Sequence, residues 1–270
     1  MTIINNGRVL ITGAASGIGR LLALRLANAG ARLVLWDIDQ AGLDRAQSEL
    51  AAAGHAADIF VCDLSDRQEI AEKAAQTLDE GGPIDILINN AGVVSGKRLL
   101  DLSDQDIERT FQVNALALFW TVRAFLPSML ERDSGHVVTI ASAASLAGAP
   151  RLTDYSSSKF AAFGFDDSLR LELRQQNSKV VTTIVCPFYI NTGMFDGVKT
   201  RFSWLLPILN PEYVVRRIIT AIEKDRRRLI MPRFMYTGWP SRLLPVAWYD
   251  WMMDFFGVTR SMDEFKGGED

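Results

Sequence analysis

Short, almost uninterrupted apolar runs recur along this chain, and segments with helical periodicity separate most of them. "RVLI" (8–11), "RLVLWD" (32–37), "DIFVCD" (58–63), "IDILIN" (84–89), "HVVTIAS" (136–142), "KVVTTIVC" (179–186) and "RLIM" (228–231) read as strands. A strand that is apolar at nearly every position is covered on both faces, and intervening helices supply the crossovers that parallel pairing needs. Helices are expected over 17–30, 40–54, 66–80, 104–130, 154–176 and 212–225. In the first, Ile18, Leu21, Leu22, Leu26 and Ala29 share one side, and Gly30 closes it. Right-handed crossovers turn this alternation into an α/β fold with a doubly wound parallel sheet of about seven strands, of the Rossmann type. We expect a single domain over 1–231, with an irregular apolar lid at 188–211, followed by an aromatic-rich tail over 232–270.

The chain has 270 residues, ample for one large core. A hydrophobic content of 48% with 23% charged residues is the balance of a soluble globular protein. The net charge of −3 gives no reason to expect nucleic acid as a partner. Cys62 and Cys186 lie far apart and in no CxxC pattern, so no disulfide framework is expected and a reducing, cytoplasmic setting fits. His55 and His136 have no partner at metal-ligand spacing and read as structural or surface residues, with no metal site. The start, "MTIINNGRVLITG", lacks the pattern of a signal peptide, and no run of ~18 apolar residues is seen, so no membrane-spanning helix is expected.

"TGAASGIG" (12–19) falls between the first strand and the first helix, with Gly13, Gly17 and Gly19 spaced GxxxGxG. Glycines let a backbone turn tightly and approach a pyrophosphate, and a helix N-terminus offers unpaired N–H groups there. Many turns of this kind need glycine for shape alone. Asp37 ends the second strand, where an acid hydrogen-bonds the ribose hydroxyls of a dinucleotide and repels a 2′-phosphate. The bland reading is a solvated acid or a helix cap, for which Asp39 is the better candidate. Asp63 in "CDLS" (62–65) and "NNAG" (89–92) end the third and fourth strands, at the side of the sheet where ligands bind. "YSSSK" (155–159) sets Tyr155 and Lys159 at i and i+4, about 5–6 Å apart at Cβ on a helix. A phenol is a poor base near neutral pH, and a cation beside it favours the phenolate. Asn114, inside the helix at 104–130, is by itself incidental. Cys186 is read as a buried small thiol rather than a nucleophile.

Together these residues resemble the short-chain dehydrogenase/reductase family, over about residues 7–230. "TGAASGIG" is similar to its cofactor loop and "NNAG" to its strand-four motif, while Asn114, Ser142, Tyr155 and Lys159 match its catalytic tetrad. The resemblance implies that Tyr155 is the acid/base on the carbinol oxygen and that Ser142 orients that oxygen. Lys159 would hold the nicotinamide ribose and lower the Tyr155 pKa, and Asn114 would support a water relay to Lys159. It places the cofactor on Gly13, Ser16, Gly17, Ile18, Gly19, Asp37, Asp63, Leu64, Asn90, Ala91, Gly92, Tyr155, Lys159, Pro187, Ile190 and Thr192. Asp37 makes NAD the expected cofactor, with NADP less favoured. The family commonly has Pro-Gly after the sixth strand, whereas Phe188 follows Pro187 here. "CPFYINTGMF" (186–195), "LLPIL", "PEYVV" and "MDEF" resemble the retinol dehydrogenase and 17β-hydroxysteroid dehydrogenase branch, of the epidermal retinal dehydrogenase type. The implied activity is NAD-dependent interconversion of a lipophilic alcohol (retinoid, steroid or long chain) and its carbonyl. The alternatives are a 3-oxoacyl-type carbonyl reductase and a non-catalytic NAD-sensing module.

Two expectations concern partners. The helices at 104–130 and 154–176 carry aromatics on more than one side, Phe119 and Trp120 on one and Phe160 and Phe163 on the other. A helix apolar all round is buried, so a homodimer or homotetramer is expected through them. Residues 199–242 hold ten Lys/Arg against three acids, and Trp204, Trp239, Trp248 and Trp251 lie beyond residue 200. Basic charge beside tryptophan suits a segment lying on a membrane surface; the alternative is a tail that closes over the substrate cleft.

Overall fold

The computed structural model describes residues 1–267; Gly268, Glu269 and Asp270 at the end of the tail, and the side chain of Trp239, lie outside the described residues. Seven strands form one sheet: β1 (Arg8–Thr12), β2 (Arg32–Asp37), β3 (Ala57–Val61), β4 (Ile86–Asn89), β5 (His136–Ile140), β6 (Val181–Pro187) and β7 (Arg228–Met231). Their order is β3-β2-β1-β4-β5-β6-β7, and every pair is parallel. The order reverses between β1 and β4, which pair through Ile11 and Ile88. A ligand crevice opens beyond the carboxyl ends of the strands at such a reversal.

Because strand side chains alternate between faces, each all-apolar strand feeds two cores. Val9, Ile11, Leu33 and Leu35 face a layer made by α1 (Gly17–Asn28), α2 (Gln40–Ala52) and α7 (Pro211–Glu223). Leu10, Val34 and Trp36 face the other layer, made by α3 (Arg67–Gly81), α5 (Ala117–Glu131) and α6 (Thr153–Gln175). Trp36 is fully buried there; its indole N–H donates to the Thr77 hydroxyl at 3.2 Å, and the Phe125 ring meets it edge-on at 5.8 Å.

Several expected boundaries move. The strands expected to reach Asp63 and Ser142 end at Val61 and Ile140, because both residues serve turns instead. Asp63 accepts from the Ser65 N–H at 2.8 Å, and Ser142 accepts from the Ala144 N–H at 3.1 Å. The expected helix at 104–130 is α4 (Asp104–Phe111), a π turn at Gln112–Leu116, and α5. By length and composition that stretch is apolar enough to cross a membrane, whereas the sequence reading expected no such helix. Its inner side, with Val122, Phe125 and Met129, lies in the second core. Asp39 does occupy the N-cap position of α2, but its carboxylate pairs with the side chain of Arg45 rather than with the backbone N–H groups of the helix. Beyond β7 the tail runs through a 3-10 turn (Arg233–Thr237), α8 (Gly238–Ser241) and α9 (Val246–Phe255).

Of the four aromatics expected to mark a subunit contact, Phe163 is buried inside the chain. The Arg242 guanidinium covers the Phe160 ring at 4.7 Å. Phe119 is 44% exposed and packs on Phe165 of α6, so an outward apolar face survives only there and at Leu116 and Leu171.

Asp166 of α6 faces β6 with neither carboxylate oxygen in hydrogen-bond geometry, although the Thr182 hydroxyl, Arg170 and Arg228 lie close enough to offset part of the cost. Burial pushes its carboxyl up to about 7. A folded-state value above the unfolded one means stability that is complete below pH ~4 and is lost progressively as pH rises through about 7. Asp166→Asn should therefore match the parent near pH ~4 and exceed it at pH ~8, by on the order of 2–4 kcal/mol in urea unfolding. Equal stability at the higher pH would show that the carboxylate is paired or hydrated.

Candidate active site

The crevice begins at a knot between the ends of β1 and β4. The Thr12 hydroxyl accepts from the N–H groups of Asn90 and Ala91 at 3.0 and 3.1 Å. The Asn90 amide donates back to the carbonyls of Thr12 and Gly13, both at 3.0 Å. A side chain at Gly13 would put its Cβ 2.8 Å from Cα of Ala91, and one at Gly19 would strike the Gly13 carbonyl. Gly13 and Gly17 have φ of +65° and +51°, which glycine adopts at little cost. These constraints open the loop onto the N-terminus of α1, with Ser16 at the N-cap, its side chain unused for capping, and Ile18 anchored in the core. Asp37 closes the far side: its carboxylate accepts from Ala15 N–H at 2.9 Å and Asp39 N–H at 3.1 Å, which leaves lone pairs on both oxygens. Asp63 and the half-buried Leu64 lie past β3 on the same rim.

The catalytic candidates converge on the other side of the reversal. Tyr155 and Lys159 lie one turn apart on α6, each 4% exposed. The Lys159 ammonium is 5.7 Å from the centre of the Tyr155 ring and donates to the Ile140 carbonyl at 3.1 Å. A Cβ on Gly92 would stand 3.2 Å from both Lys159 Nζ and Asn114 Oδ1, so glycine there lets the two approach the crevice. Asn114 sits in the π turn. Its Oδ1 accepts from Val93 N–H at 2.8 Å, and its amide donates to the Val93 carbonyl at 2.9 Å and the Ser158 hydroxyl at 3.1 Å. A side chain that competes for backbone groups in this way accounts for a local break in helical pitch.

Among the chain's own groups, desolvation dominates the electrostatics of the pair Tyr155 and Lys159. Burial pushes the Tyr155 phenol up to about 12, and a hydrogen bond with Ser142 opposes it. Burial pulls the Lys159 ammonium down to about 8. Burial also pushes the Cys186 thiol up to about 12, and its sulfur rests 3.5 Å from the Ser145 hydroxyl, so it is the packing residue expected.

Ser142 and Tyr155 form one end of a cavity of about 830 Å³, counting its open mouth. The stretch from Ala143 to Leu152 lines it too, and the remaining walls come from the 188–211 segment and the tail, including Phe188, Leu206, Met252 and Phe256. The 188–211 segment is tied down where Ile190 bridges Leu209. Thr192 reaches to the glycine loop, its Cβ 3.7 Å from where a Gly17 side chain would begin. Sequence reasoning therefore named the residues that this crevice brings together, with Pro187 ending β6 beside it. It missed Thr12, the buried Asp154 that accepts from Ser95 and Thr110, and every tail residue in the cavity wall. Thr12, a polar residue ending an apolar strand, carried a signal; the tail residues carried none.

A glycine cradle on a helix N-terminus, open beside a buried phenol and ammonium, suits a nicotinamide dinucleotide with an alcohol or carbonyl against it, which makes the protein an oxidoreductase. The chain belongs to the short-chain dehydrogenase/reductase family, whose short chain dehydrogenase model matches residues 7–201. Mouse epidermal retinol dehydrogenase 2 is 45% identical over 262 residues, covering 96% of this chain and 85% of that protein. Estradiol 17-beta-dehydrogenase 11 of Pongo abelii is 44% identical over 225 residues, covering 83% and 74%. Among solved structures, a short-chain dehydrogenase/reductase from Burkholderia phymatum in complex with NAD aligns with a TM-score of 0.80 at 29% identity, covering 88% of this chain and 93% of that one. A metagenomic short-chain oxidoreductase in complex with NADP aligns at 0.70 and 29%, covering 84% and 95%. The protein is thus an NAD(P)-dependent alcohol dehydrogenase or carbonyl reductase.

Asn114→Ala would leave the Val93 N–H and carbonyl without their side-chain partners. It should cost roughly 1–3 kcal/mol in thermal or urea unfolding. Unchanged stability would mean that water replaces the amide without loss.

Proposed function

We propose that this enzyme oxidises a lipophilic alcohol, or reduces its carbonyl, with NAD(H) as the preferred cofactor. The observation that carries the substrate class is the cavity at Ser142 and Tyr155, whose lining is otherwise predominantly alanine, leucine, methionine and phenylalanine. Retinoids, steroids and long-chain alcohols have the matching chemistry, and the similarity to a retinol dehydrogenase and an estradiol dehydrogenase supports that set. A polar carrier-bound 3-oxoacyl group fits these walls poorly.

The dinucleotide would lie along Gly13, Ser16, Gly17, Ile18 and Gly19, with Asp63, Leu64, Asn90, Ala91, Gly92, Pro187, Ile190 and Thr192 around it. Asp37, held at the rim by Ala15, would accept from ribose hydroxyls and repel a 2′-phosphate. When bound, the nicotinamide supplies the hydride acceptor or donor. Tyr155 takes the proton from the alcohol oxygen, or returns it to the carbonyl oxygen. Ser142, next to it, donates a hydrogen bond to that same oxygen and fixes its position. Lys159 holds the nicotinamide ribose, and its charge works against the burial that keeps Tyr155 protonated. Asn114 positions the Val93 backbone and Ser158 behind Lys159, where it would support the proton relay.

The same reading includes a homodimer or homotetramer formed through the outward face of α4–α6, and contact of the C-terminal third with a membrane surface. Light scattering tests the first; a monomer at micromolar concentration would overturn it.

An NAD-linked activity screen over retinoids, steroids and long-chain alcohols, with the carbonyls run in reverse, tests the substrate class. Turnover of none of them would return the chain to the NAD-sensing alternative. Tyr155→Phe removes only the hydroxyl and should lower turnover by ~10²-fold or more while cofactor binding persists. Activity within a few-fold of the parent would remove Tyr155 from the proton transfer. Asp37→Ser with Ile38→Arg should relax or invert the cofactor preference, read as the ratio of kcat/KM with NAD to that with NADP. Equal efficiency with both in the unaltered enzyme would refute the role of Asp37.

A further inference from the structure

β7 is the last strand of the sheet, and its outer edge borders a groove lined by arginine. Arg217 and Thr220 enter from α7, Arg226 from the approach to the strand, Arg228 from its first position, and Arg233 and Tyr236 from the 3-10 turn beyond it. Arg228 is held by Asp167 at 3.1 Å. Arg217 meets only the Tyr213 phenol, 3.5 Å from its oxygen and 5.8 Å from its ring centre. Among the described residues, Arg217, Arg226 and Arg233 pair with no carboxylate. Three guanidinium groups without a carboxylate partner, beside an Arg228 already engaged by Asp167, make a site for an anion rather than a solvated helix face. A sheet edge is also a place where a second copy can pair. A two-fold axis along this edge would set the arginines of one copy against those of the other, which opposes that occupant.

The turn that supplies Arg233 and Tyr236 also leads into the apolar tail. Its opposite side, Phe234 and Met235, lines the substrate cavity. Downstream, α9 is apolar on two sides. Tyr249, Met252 and Met253 face the cavity, whereas Trp248, Trp251 and Phe255, spaced i, i+3 and i+7, form an exposed stripe. Trp248 and Trp251 are 68% and 67% exposed, and Leu243 and Val246 nearby in the chain are exposed by still larger fractions. Arg201 lies 5.5 Å from the Phe255 ring centre, at the end of the stripe. Asp250 and Asp254 are its acidic neighbours on the helix, and Asp254 accepts from Thr259 at 2.7 Å. Tryptophan and arginine side by side fit the polar–apolar boundary of a bilayer, where indoles sit at headgroup depth and guanidinium groups meet lipid phosphate.

We propose that the groove formed by Arg217, Arg226, Arg228 and Arg233 binds the phosphate of an anionic phospholipid, and that the adjoining stripe seats α9 among the headgroups. The helix that walls the cavity then lies against the layer that dissolves a lipophilic substrate. This rests on the membrane contact proposed above and gives it a defined headgroup site.

The test is co-sedimentation of the full chain with vesicles of phosphatidylcholine alone and of phosphatidylcholine with phosphatidylserine, at low and high salt. The parent should prefer the anionic vesicles, with binding that weakens as salt is added. Arg226→Gln with Arg233→Gln should weaken anionic-vesicle binding about 25-fold, since each arginine near the surface contributes about 1 kcal/mol. Trp248→Ser with Trp251→Ser should weaken binding to both vesicle types. Melting temperature and turnover of a short soluble alcohol, measured for both variants, should stay at the parental level, which separates lost docking from a failure of the catalytic reading. Parental binding that is equal on the two vesicle types, or unchanged by the arginine pair, overturns the proposal. So does inorganic phosphate that protects the parent against unfolding but not the arginine variant while vesicles fail to bind, which would make the groove a free-phosphate site. A change of oligomeric state in the arginine variant without a change in vesicle binding would assign the edge to a subunit contact and equally overturn it.

Discussion

The close approach of Gly13 to Ala91 governs the rest of the site. Two strand ends meet there with no room for a Cβ, and four hydrogen bonds between Thr12 or Gly13 and the Asn90–Ala91 stretch lock them. The glycine loop is thus shaped by its neighbour strand as much as by its own sequence. With the loop fixed, α1 points its N-terminus at the crevice, and Asp37 can reach back to Ala15. The knot lies at the reversal of strand order, so the groups that bind a dinucleotide and those that act on a substrate face one opening.

Across that opening, burial is used against ionisation. Tyr155 and Lys159 are both desolvated, and each is driven toward its neutral form. A phenol that holds its proton and an ammonium that yields one more readily are a poised pair rather than a spent one, because any charge introduced beside them is felt in a low-dielectric setting. Their supports are themselves buried and polar: Asn114 grips Val93 and Ser158, and Lys159 is anchored on Ile140. The π turn at Asn114 brings that side chain to Val93 at the cost of regular helix geometry.

The tail solves a different problem. An apolar cavity needs walls, and the α/β core supplies only part of them, from Ser142 through Leu152 to Tyr155. α9 completes the enclosure, yet it keeps a second apolar face outside. One helix therefore contacts both the substrate space and the surroundings of the protein. The 3-10 turn that lends Arg233 and Tyr236 to the arginine groove at the sheet edge also lends Phe234 and Met235 to the cavity wall that this helix completes.

Periodicity alone determined the sheet, because a strand buried on both faces has to be apolar throughout and leaves an unmistakable run. The strand centres and helix bodies accordingly fall where the sequence puts them, while Asp63 and Ser142 leave their strands for hydrogen bonds that periodicity does not encode. The glycine loop, Asp37, Tyr155 and Lys159 were legible because their spacing along one turn or one βα unit is local. Asn114 was legible only through the family resemblance, since its partners lie at Val93 and Ser158, reached by tertiary contact. The burial of Tyr155 was not legible: a neighbouring cation is visible in sequence, but desolvation depends on what surrounds the ring, including Phe195 and Tyr189 from the lid. The tail was ambiguous between lid and surface element for the same reason. Composition counts its tryptophans, methionines and arginines, whereas only packing decides which face of α9 meets the cavity and which is left outside.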